Sequence, residues 1–231
     1  MGRMLRVGFH SAGSIPTLGG MKRRTLLALP LLALAARQAR AQTFQPTAQD
    51  RADIARIEAN LNALHTLKAR FLQVAPDGAT SGGLAWLDRP GKMRFQYDKP
   101  SPLLLVAGHG LFVFYDRSLR QTTNLPLDAT PLGLLLRDHL VLSGDVTVTG
   151  IERVPGQIQV TMVRTKSPGD GSLTLVFADN PLALRQWTVV DAQQQETRVS
   201  LFNVELGGTF DQDMFTLVDP KSFPGQDKYY P

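Results

Sequence analysis

Residues 86–116 read W-L-D-R-P-G-K-M-R-F-Q-Y-D-K-P-S-P-L-L-L-V-A-G-H-G-L-F-V-F-Y-D. Short apolar or alternating runs in this segment are joined by R-P-G-K, D-K-P-S-P and G-H-G, which are sequences that favour turns. The pattern predicts a meander of short antiparallel strands that carry many large apolar side chains. The segment contains none of the histidine, cysteine or paired-carboxylate spacings that catalysis or metal binding requires. We therefore expect it to serve packing or lipid binding, and not bond making.

Strand patterns continue on both sides of this segment. Residues 69–74 alternate ahead of the Asp77-Gly78 turn, and further runs bounded by turn residues follow later in the chain. The predicted strands lie near residues 82–88, 92–98, 103–107, 111–116, 119–123, 145–152, 157–164, 172–178, 183–190 and 195–204, with a last short strand near 215–218. The sequence thus predicts eleven or twelve antiparallel strands, with helices only before the first strand and midway.

The first predicted helix covers residues 49–66. Its apolar residues recur at steps of three and four, and the T-x-x-D spacing that begins at Thr47 is that of a capping box. The second helical segment begins at Thr130-Pro131, a favourable start for a helix, and continues with leucines on nearly every side. A surface helix is usually half polar, so the extra apolar face must meet the core, a ligand or a partner.

One face of the predicted sheet is strongly apolar. A connection centred on Pro90-Gly91 pairs Trp86 with Phe95 and Leu84 with Tyr97. The residues expected on this face are Leu84, Trp86, Met93, Phe95, Tyr97, Phe112, Phe114, Leu175, Phe177 and Trp187. Two helices are too little to cover eleven strands, so the sheet must close into a barrel or curl around something. A curled sheet with helices as a lid encloses an apolar cavity that suits a lipid.

The start of the chain has the features of an export signal. Lys22, Arg23 and Arg24 precede an apolar run, and Ala39-Arg40-Ala41 is an A-x-A cleavage site. We expect Met21 to be the true start, residues 1–41 to be leader and signal peptide, and a single domain to span residues 42–231. A membrane-spanning helix is the alternative reading, and the arginine pair leaves twin-arginine export open.

The formal net charge of +5 comes from this leader. All 20 Asp and Glu residues lie after residue 41, but only 18 of the 25 Lys and Arg residues do, so residues 42–231 carry a net charge of −2. This removes the main argument for a nucleic-acid partner. The chain has no cysteine, which excludes disulfides, thiol catalysis and the lipid-modified cysteine of a bacterial lipoprotein.

No motif for an enzyme or a cofactor is present in the sequence. The histidines His65, His109 and His139 are far apart and lack carboxylate partners at ligand spacing. There is no G-x-S-x-G, Walker A or dinucleotide fingerprint, and Gly108-His109-Gly110 precedes a strand where a phosphate loop would precede a helix. We therefore predict no catalytic residue, no metal and no cofactor, although acid–base pairs distant in sequence remain open.

The ordered set of motifs resembles the LolA family of periplasmic lipoprotein carriers over residues 50–220. The resemblance comprises the first helix with Phe71 and Gln73 after it, W-L-x-R-P-G-K-M-R-F-x-Y, G-x-G-L-F-V-F-Y-D, Thr130-Pro131 before leucines, and the late pair formed by Leu173, Leu175, Phe177, Leu184 and Trp187. It implies an unclosed, strongly curved antiparallel half-barrel of about eleven strands. An N-terminal helix and a mid-chain lid helix would cover it, the latter including Pro131, Leu132, Leu135 and Leu136.

The function that the resemblance implies is carriage of outer-membrane lipoproteins. The cavity would hold their acyl chains between an inner-membrane lipoprotein-releasing ABC transporter and an outer-membrane acceptor, with a monomer as carrier. It also implies that Arg89 of the R-P pair hydrogen-bonds to the lid and holds it closed, whereas position alone suggests a solvated turn residue. Three alternatives stay open: a carrier of another lipid or glycolipid tied to a biosynthetic cluster, a lipoprotein-sensing module of an envelope stress pathway, and an enzyme.

Overall fold

Eleven strands, one α-helix and four short 3-10 helices make up the described part of the chain, which is residues 44–217 of a computed structural model. The elements are α1 (Ala48–Ala63), β1 (Thr66–Val74), β2 (Thr80–Asp88), β3 (Lys92–Tyr97), β4 (Leu103–Gly108), β5 (Leu111–Asp116), β6 (Gln121–Pro126), β7 (Val146–Val154), β8 (Gln157–Arg164), β9 (Gly171–Ala178), β10 (Ala183–Asp191), β11 (Glu196–Leu206), and 3-10 helices at Leu127–Ala129, Pro131–Leu134, Pro168–Asp170 and Gln212–Phe215. The predicted leader at residues 1–41 lies outside the described residues.

All eleven strands form one antiparallel sheet in the order β6-β5-β4-β3-β2-β1-β11-β10-β9-β8-β7. Every neighbouring pair is consecutive in the chain except β1 and β11, which join the two halves of the meander. The outer strands β6 and β7 do not pair with each other, so the sheet is not closed. The predicted fold class, an unclosed antiparallel sheet of about eleven strands, is confirmed.

Two aromatic rings show that the sheet is strongly curved. Phe95 on β3 and Trp187 on β10 are separated by three strands, which corresponds to about 19 Å in a flat sheet. Their ring centroids nevertheless lie 5.9 Å apart, at an interplanar angle of 77°. Only a curled sheet brings these two rings together, and the main hydrophobic cluster fills its concave side.

The predicted strand near residues 215–218 does not form in residues 215–217, the part of it that the structure describes. Phe215 ends the 3-10 helix Gln212–Phe215, whose first turn is capped because the side chain of Asp211 accepts a hydrogen bond from the backbone N–H of Asp213. This segment packs on the convex face, where a Cβ at Gly108 would lie only 2.3 Å from the carbonyl oxygen of Phe215. A local capping residue and a close contact with the sheet therefore decide its conformation, in place of strand pairing.

Helix α1 begins at a complete capping box. The hydroxyl of Thr47 accepts a hydrogen bond from the backbone N–H of Asp50 at 3.1 Å, and the carboxylate of Asp50 accepts one from the backbone N–H of Thr47 at 2.8 Å. Arg153 on β7 donates to Asp50 at 2.7 Å, so the same carboxylate joins the helix to the sheet. Ile57 and Leu61, one turn apart on the apolar stripe, are fully buried.

The Asp50 carboxylate makes the stability of the helix start dependent on pH. The backbone N–H of Thr47, followed by Arg153, lowers the pKa of Asp50 from 3.8 to about 2. A lowered pKa in the folded state means that the carboxylate stabilises the protein above pH 3.8, and that this contribution is lost as the pH falls towards 2. We expect D50N to lower the urea midpoint at pH 5, and the gap to the natural protein to narrow at pH 2. A gap that stays constant over this range would contradict the linkage.

Candidate functional site

An apolar cavity of about 440 Å³ opens on the concave side of the sheet. Its volume falls within the range typical of small-molecule sites. The large side chains that line it from the sheet are Met93, Phe95, Tyr97, Leu105, Phe112, Phe114, Leu125, Trp187, Val189 and Val199. Pro131 and Leu132 line it from the leucine segment, the name used below for residues 130–142. The cavity thus lies between strands β3–β6, the strands β10 and β11, and this segment.

Leu84 and Trp86 do not lie on the cavity face, and the predicted pairing is wrong by one residue. In the β2–β3 hairpin Ala85 pairs with Phe95, while Trp86 pairs with Arg94. The connection comprises the three residues 89–91 and is centred on Pro90. Because side chains alternate between the two faces of a strand, a shift of one residue moves a side chain to the other face. Leu84 and Trp86 therefore lie half-buried on the convex face.

Leu175 and Phe177 lie on the cavity side but outside the cavity. Leu175 pairs with Trp187 across β9 and β10, which places it on the same face, and both Leu175 and Phe177 are completely buried. The 3-10 helix Pro131–Leu134 packs against these two strands. Access to Leu175 and Phe177 would therefore require displacement of the leucine segment.

The leucine segment begins with a 3-10 helix, and the longer helix expected there does not form. Thr130 caps it, since its hydroxyl accepts a hydrogen bond from the N–H of Gly133 at 3.1 Å. Gly133 lies so close to the preceding turn that a Cβ there would be 2.0 Å from the carbonyl oxygen of Leu127. The buried leucines of the segment are Leu134, Leu135, Leu136, Leu140 and Leu142. These side chains fill the concave space that a larger ligand would need.

Helix α1 holds the far part of the leucine segment by polar contacts. The amide of Asn62 donates to the carbonyl oxygen of Leu140 at 2.9 Å and accepts from the N–H of Leu140 at 2.9 Å. The carboxylate of Glu58 accepts from the N–H of Leu142 at 2.5 Å. Sequence reasoning missed both residues, although their i,i+4 spacing beside the apolar stripe of α1 was a usable signal.

Arg89 joins α1 to the leucine segment through five hydrogen bonds to carbonyl oxygens. Its guanidinium donates to the carbonyl oxygens of Leu61 and, at 3.1 Å, Leu64 at the end of α1. It also donates to the carbonyl oxygen of Arg137 from two nitrogens, one at 2.9 Å, and to that of Asp138 at 3.5 Å. Arg89 is therefore not the solvated turn residue that position alone suggests, and only 7% of it is exposed.

The setting of Arg89 explains why a buried cation is tolerated there. Burial lowers the pKa of its guanidinium, and the charge of Asp138 offsets part of this shift. The last turn of α1 has no basic residue of its own, and the carbonyl oxygens of its negative end accept hydrogen bonds from Arg89, the first residue after β2. The contact satisfies both the guanidinium and the helix end, so removal of either side leaves buried polar groups without partners.

The cavity has a polar edge at one end of the sheet. The polar residues at this edge, here called the rim, are Gln73, Asp116, Gln121, Asp191 and Gln195. All five lie beside the connections at residues 75–79, 117–120 and 192–195, which are at the same end of the sheet. The phenol of Tyr97 donates to Gln73 at 2.7 Å, and burial raises its pKa to about 12, so it stays neutral. Arg89 and the end of α1 lie at the opposite end.

Within residues 44–217 there is no group of three or more His, Asp or Glu side chains that could hold a metal ion. No helix in this part of the chain is long and apolar enough to cross a membrane. What the arrangement offers is an apolar volume with a polar rim at one end and a hydrogen-bonded closure at the other.

Comparisons with known proteins point to one family. The family model described as "Outer membrane lipoprotein carrier protein LolA" matches residues 62–218. The outer-membrane lipoprotein carrier protein of Pseudomonas aeruginosa is 32% identical over 190 residues, covering 78% of this chain and 88% of the relative. That of Methylococcus capsulatus is 30% identical over 174 residues, covering 71% and 83%. The solved structure of LolA superfamily protein NE2245 from Nitrosomonas europaea covers 71% of this chain and 97% of that chain, with 10% identity and a TM-score of 0.38.

Proposed function

The chain belongs to the LolA family of outer membrane lipoprotein carrier proteins, and from this we propose that it carries lipoproteins with their acyl chains held in the cavity. The observation that supports this most directly is the cavity itself. It is apolar on the inside, polar at the rim and closed at the far end by side chains of the leucine segment. An acyl chain would enter past the rim, while the polar protein part of the cargo stays in water.

The energetics of acyl chains fit a carrier of this kind. Each buried methylene gains about 0.8 kcal/mol, so a sixteen-carbon chain gains roughly 12 kcal/mol on leaving water for any apolar medium. A membrane and an apolar cavity are nearly equal in this respect, while water is strongly disfavoured. A carrier therefore needs only to match the membrane approximately and to open without a large free-energy cost. A leucine segment held by hydrogen bonds meets that requirement better than a sealed core.

The remaining parts of the proposal concern the setting of transport. The carrier works in the periplasm as a monomer, after removal of residues 1–41, and residues 42–231 form the carrier domain. It receives acylated lipoproteins from an inner-membrane lipoprotein-releasing ABC transporter and passes them to an outer-membrane acceptor. It makes and breaks no covalent bond. Arg89 serves as the latch that holds the leucine segment closed over the cavity.

The two tryptophans of the chain allow a direct test of where an acyl chain binds. Trp187 lines the cavity and Trp86 lies on the convex face. The variant W86F therefore keeps only the cavity tryptophan, and W187F keeps only the tryptophan on the convex face. We expect a fatty acid brominated along its chain to quench the fluorescence of W86F, because bromine quenches tryptophan only at close range. The fluorescence of W187F should change little. The measurement is a titration of each variant with the same brominated acid.

Two results of this titration would contradict binding of the acyl chain in the cavity. Equal quenching of both variants would show that the acid has no preference for the cavity, and no quenching of W86F would remove the cavity as the binding site. The class of cargo is determined in a separate experiment, in which mass spectrometry identifies the lipid or lipoprotein that co-purifies with the protein from the periplasm. A triacylated lipoprotein would support the proposal, whereas a small glycolipid would favour a carrier of another lipid.

A further inference from the structure

Strand β6 is an open edge of the sheet. In the sheet that residues 44–217 form, β6 pairs with β5 alone, and all of its residues, Gln121–Pro126, are exposed. An edge strand presents unpaired N–H and C=O groups, to which another extended chain can bind. Proteins usually protect such an edge with charged side chains, a bulge or a covering element. The two edges of this sheet differ in that protection.

The edge at β7 is protected. Its pairing with β8 is interrupted by a bulge between Val148 and Gly150, and its second half carries the charged residues Glu152 and Arg153. Arg153 also donates hydrogen bonds to two carboxylates of α1, which holds the helix beside this strand. By contrast, β6 pairs with β5 without a register shift and contains no charged residue. Its one protective residue is Pro126, at its last position.

The backbone groups of Thr122 and Asn124 face the open side of β6. The N–H of Leu127, the residue after β6, donates to the carbonyl oxygen of Gly110 at 2.8 Å, which makes these two residues a hydrogen-bonded pair. Hydrogen-bonded and non-hydrogen-bonded pairs alternate along an antiparallel ladder, so every second residue counted back from Leu127 faces β5. The residues between them, Thr122, Asn124 and Pro126, direct their backbone groups away from β5. Thr122 and Asn124 thus offer both N–H and C=O groups to a further strand.

This open edge runs beside the cavity. The side chains of Gln121, Thr123 and Leu125 line the cavity, and Gln121 also belongs to the rim. A polypeptide attached to an acyl chain in the cavity therefore emerges next to the edge of β6. A folded cargo domain is too large to enter the cavity, so the residues that join it to the acylated residue must span the gap as an extended chain.

We propose that the edge of β6 binds the extended segment that follows the acylated residue of the cargo, as an added strand. The proposal rests on the carrier function proposed above and names the part of the cargo protein that the site recognises. Backbone hydrogen bonds provide the affinity in this mode of binding. The side chains of Thr122 and Asn124 are uncharged and impose no charge on the segment, so cargoes of different sequence can use the same edge.

The first test uses synthetic lipopeptides and the natural protein. The parent lipopeptide is a cysteine that carries a sixteen-carbon thioether chain, followed by a short peptide of serine and alanine. Two derivatives carry N-methyl groups on alternate backbone nitrogens, one at the odd and the other at the even positions after the cysteine. Successive N–H groups of an added strand point to opposite sides, so only one derivative loses its donors to β6.

Affinity is measured by competition with a fluorescent fatty acid. We expect one N-methylated derivative to bind about tenfold more weakly than the parent lipopeptide, because it loses the hydrogen bonds to β6. The other derivative should bind like the parent lipopeptide and is the matched control, since it has the same composition and the same acyl chain.

The second test removes a donor from the protein. T122P deletes an N–H group that faces the open edge, and the hydrogen bonds from β6 to β5 do not use this group. Binding of the parent lipopeptide should weaken several-fold, whereas binding of a fatty acid should not change, because the acid has no peptide segment. Quenching of Trp187 by the brominated acid, measured in T122P that also carries W86F, checks that the cavity is retained.

Several results would overturn this proposal. Equal affinities of the parent lipopeptide and both derivatives, or an equal loss in the two derivatives, would exclude backbone pairing. The same conclusion follows if T122P retains the quenching by the acid and binds the parent lipopeptide as tightly as the natural protein does. A dimer of the natural protein that T122P abolishes, observed by sedimentation, would show that a second copy of the chain occupies the edge.

The fatty acid separates failure of this proposal from failure of the carrier function. If the acid binds in the cavity but N-methylation has no effect at either set of positions, the carrier function stands and pairing at β6 is wrong. If neither the acid nor the parent lipopeptide binds, the carrier function itself is wrong, and the proposal for β6 is lost with it.

Discussion

Replacing Arg89 with leucine is expected to lower the free energy of unfolding by about 2–4 kcal/mol, because it removes a buried group that binds several carbonyl oxygens. The carbonyl oxygens of Leu61, Leu64 and Arg137 lose a donor, and leucine offers nothing in its place. The leucine segment would keep its contacts to Asn62 and Glu58 but lose its connection to the end of α1. We therefore expect local opening to become easier than global unfolding.

The measurement is hydrogen exchange at the amides of the leucine segment, together with transfer of cargo to an acceptor. Exchange should accelerate in residues 134–142 more than in the central strands β1 and β2. Cargo transfer should slow, because formation of the closed state no longer helps to expel the acyl chain. R89K should fall between the natural protein and R89L, since lysine keeps the charge but has its donors on one nitrogen, whereas the contacts of Arg89 use three nitrogens.

R70L is the matched control for loss of an arginine. Arg70 is exposed on the convex face and pairs with Asp98, so its removal should cost less than about 1 kcal/mol. Exchange in the leucine segment should be unchanged in this variant. If R89L resembles R70L in stability and exchange, or if its transfer of cargo is normal, Arg89 does not act as the latch.

Trp187 to alanine is the second substitution with a large expected effect. Trp187 is 1% exposed, and its ring packs against that of Phe95 across the curled sheet. Loss of a buried tryptophan leaves a cavity and typically costs about 3–5 kcal/mol. The contact also joins β3 to β10, so its loss should loosen the curvature that forms the cavity. Acyl binding is expected to weaken together with stability.

W86A provides the comparison on the other face of the same sheet. Trp86 is half-buried on the convex face, so truncation there should cost roughly half as much or less, and acyl binding should persist. The measurements are urea unfolding of both variants and titration with a fluorescent fatty acid. If W86A costs as much as W187A, or if W86A is the variant that loses acyl binding, then the strand register and the cavity assignment are both incorrect.

Local patterns were sufficient for the strands and for helix α1. The strand patterns predicted all eleven strands that follow α1, β1 among them at residues 69–74. The capping box at Thr47 and the apolar stripe predicted α1 within a few residues. These features depend on neighbours within a few positions, which is why the sequence reveals them. Comparison with relatives confirmed the family that the ordered motifs resemble.

The periodicity and the turn residues by themselves determined that this chain forms an antiparallel sheet with a strongly apolar face and a leucine-rich segment, because both act locally, whereas only the family resemblance implied that the sheet stays open. Only the tertiary structure decided which tryptophan faces the cavity, since a three-residue connection at residues 89–91 reverses the faces of β2 relative to β3. It also decided that Arg89 meets α1 and the leucine segment, and that Asn62 and Glu58 support it. These contacts join residues distant in the chain, and their geometry depends on the curvature of the whole sheet.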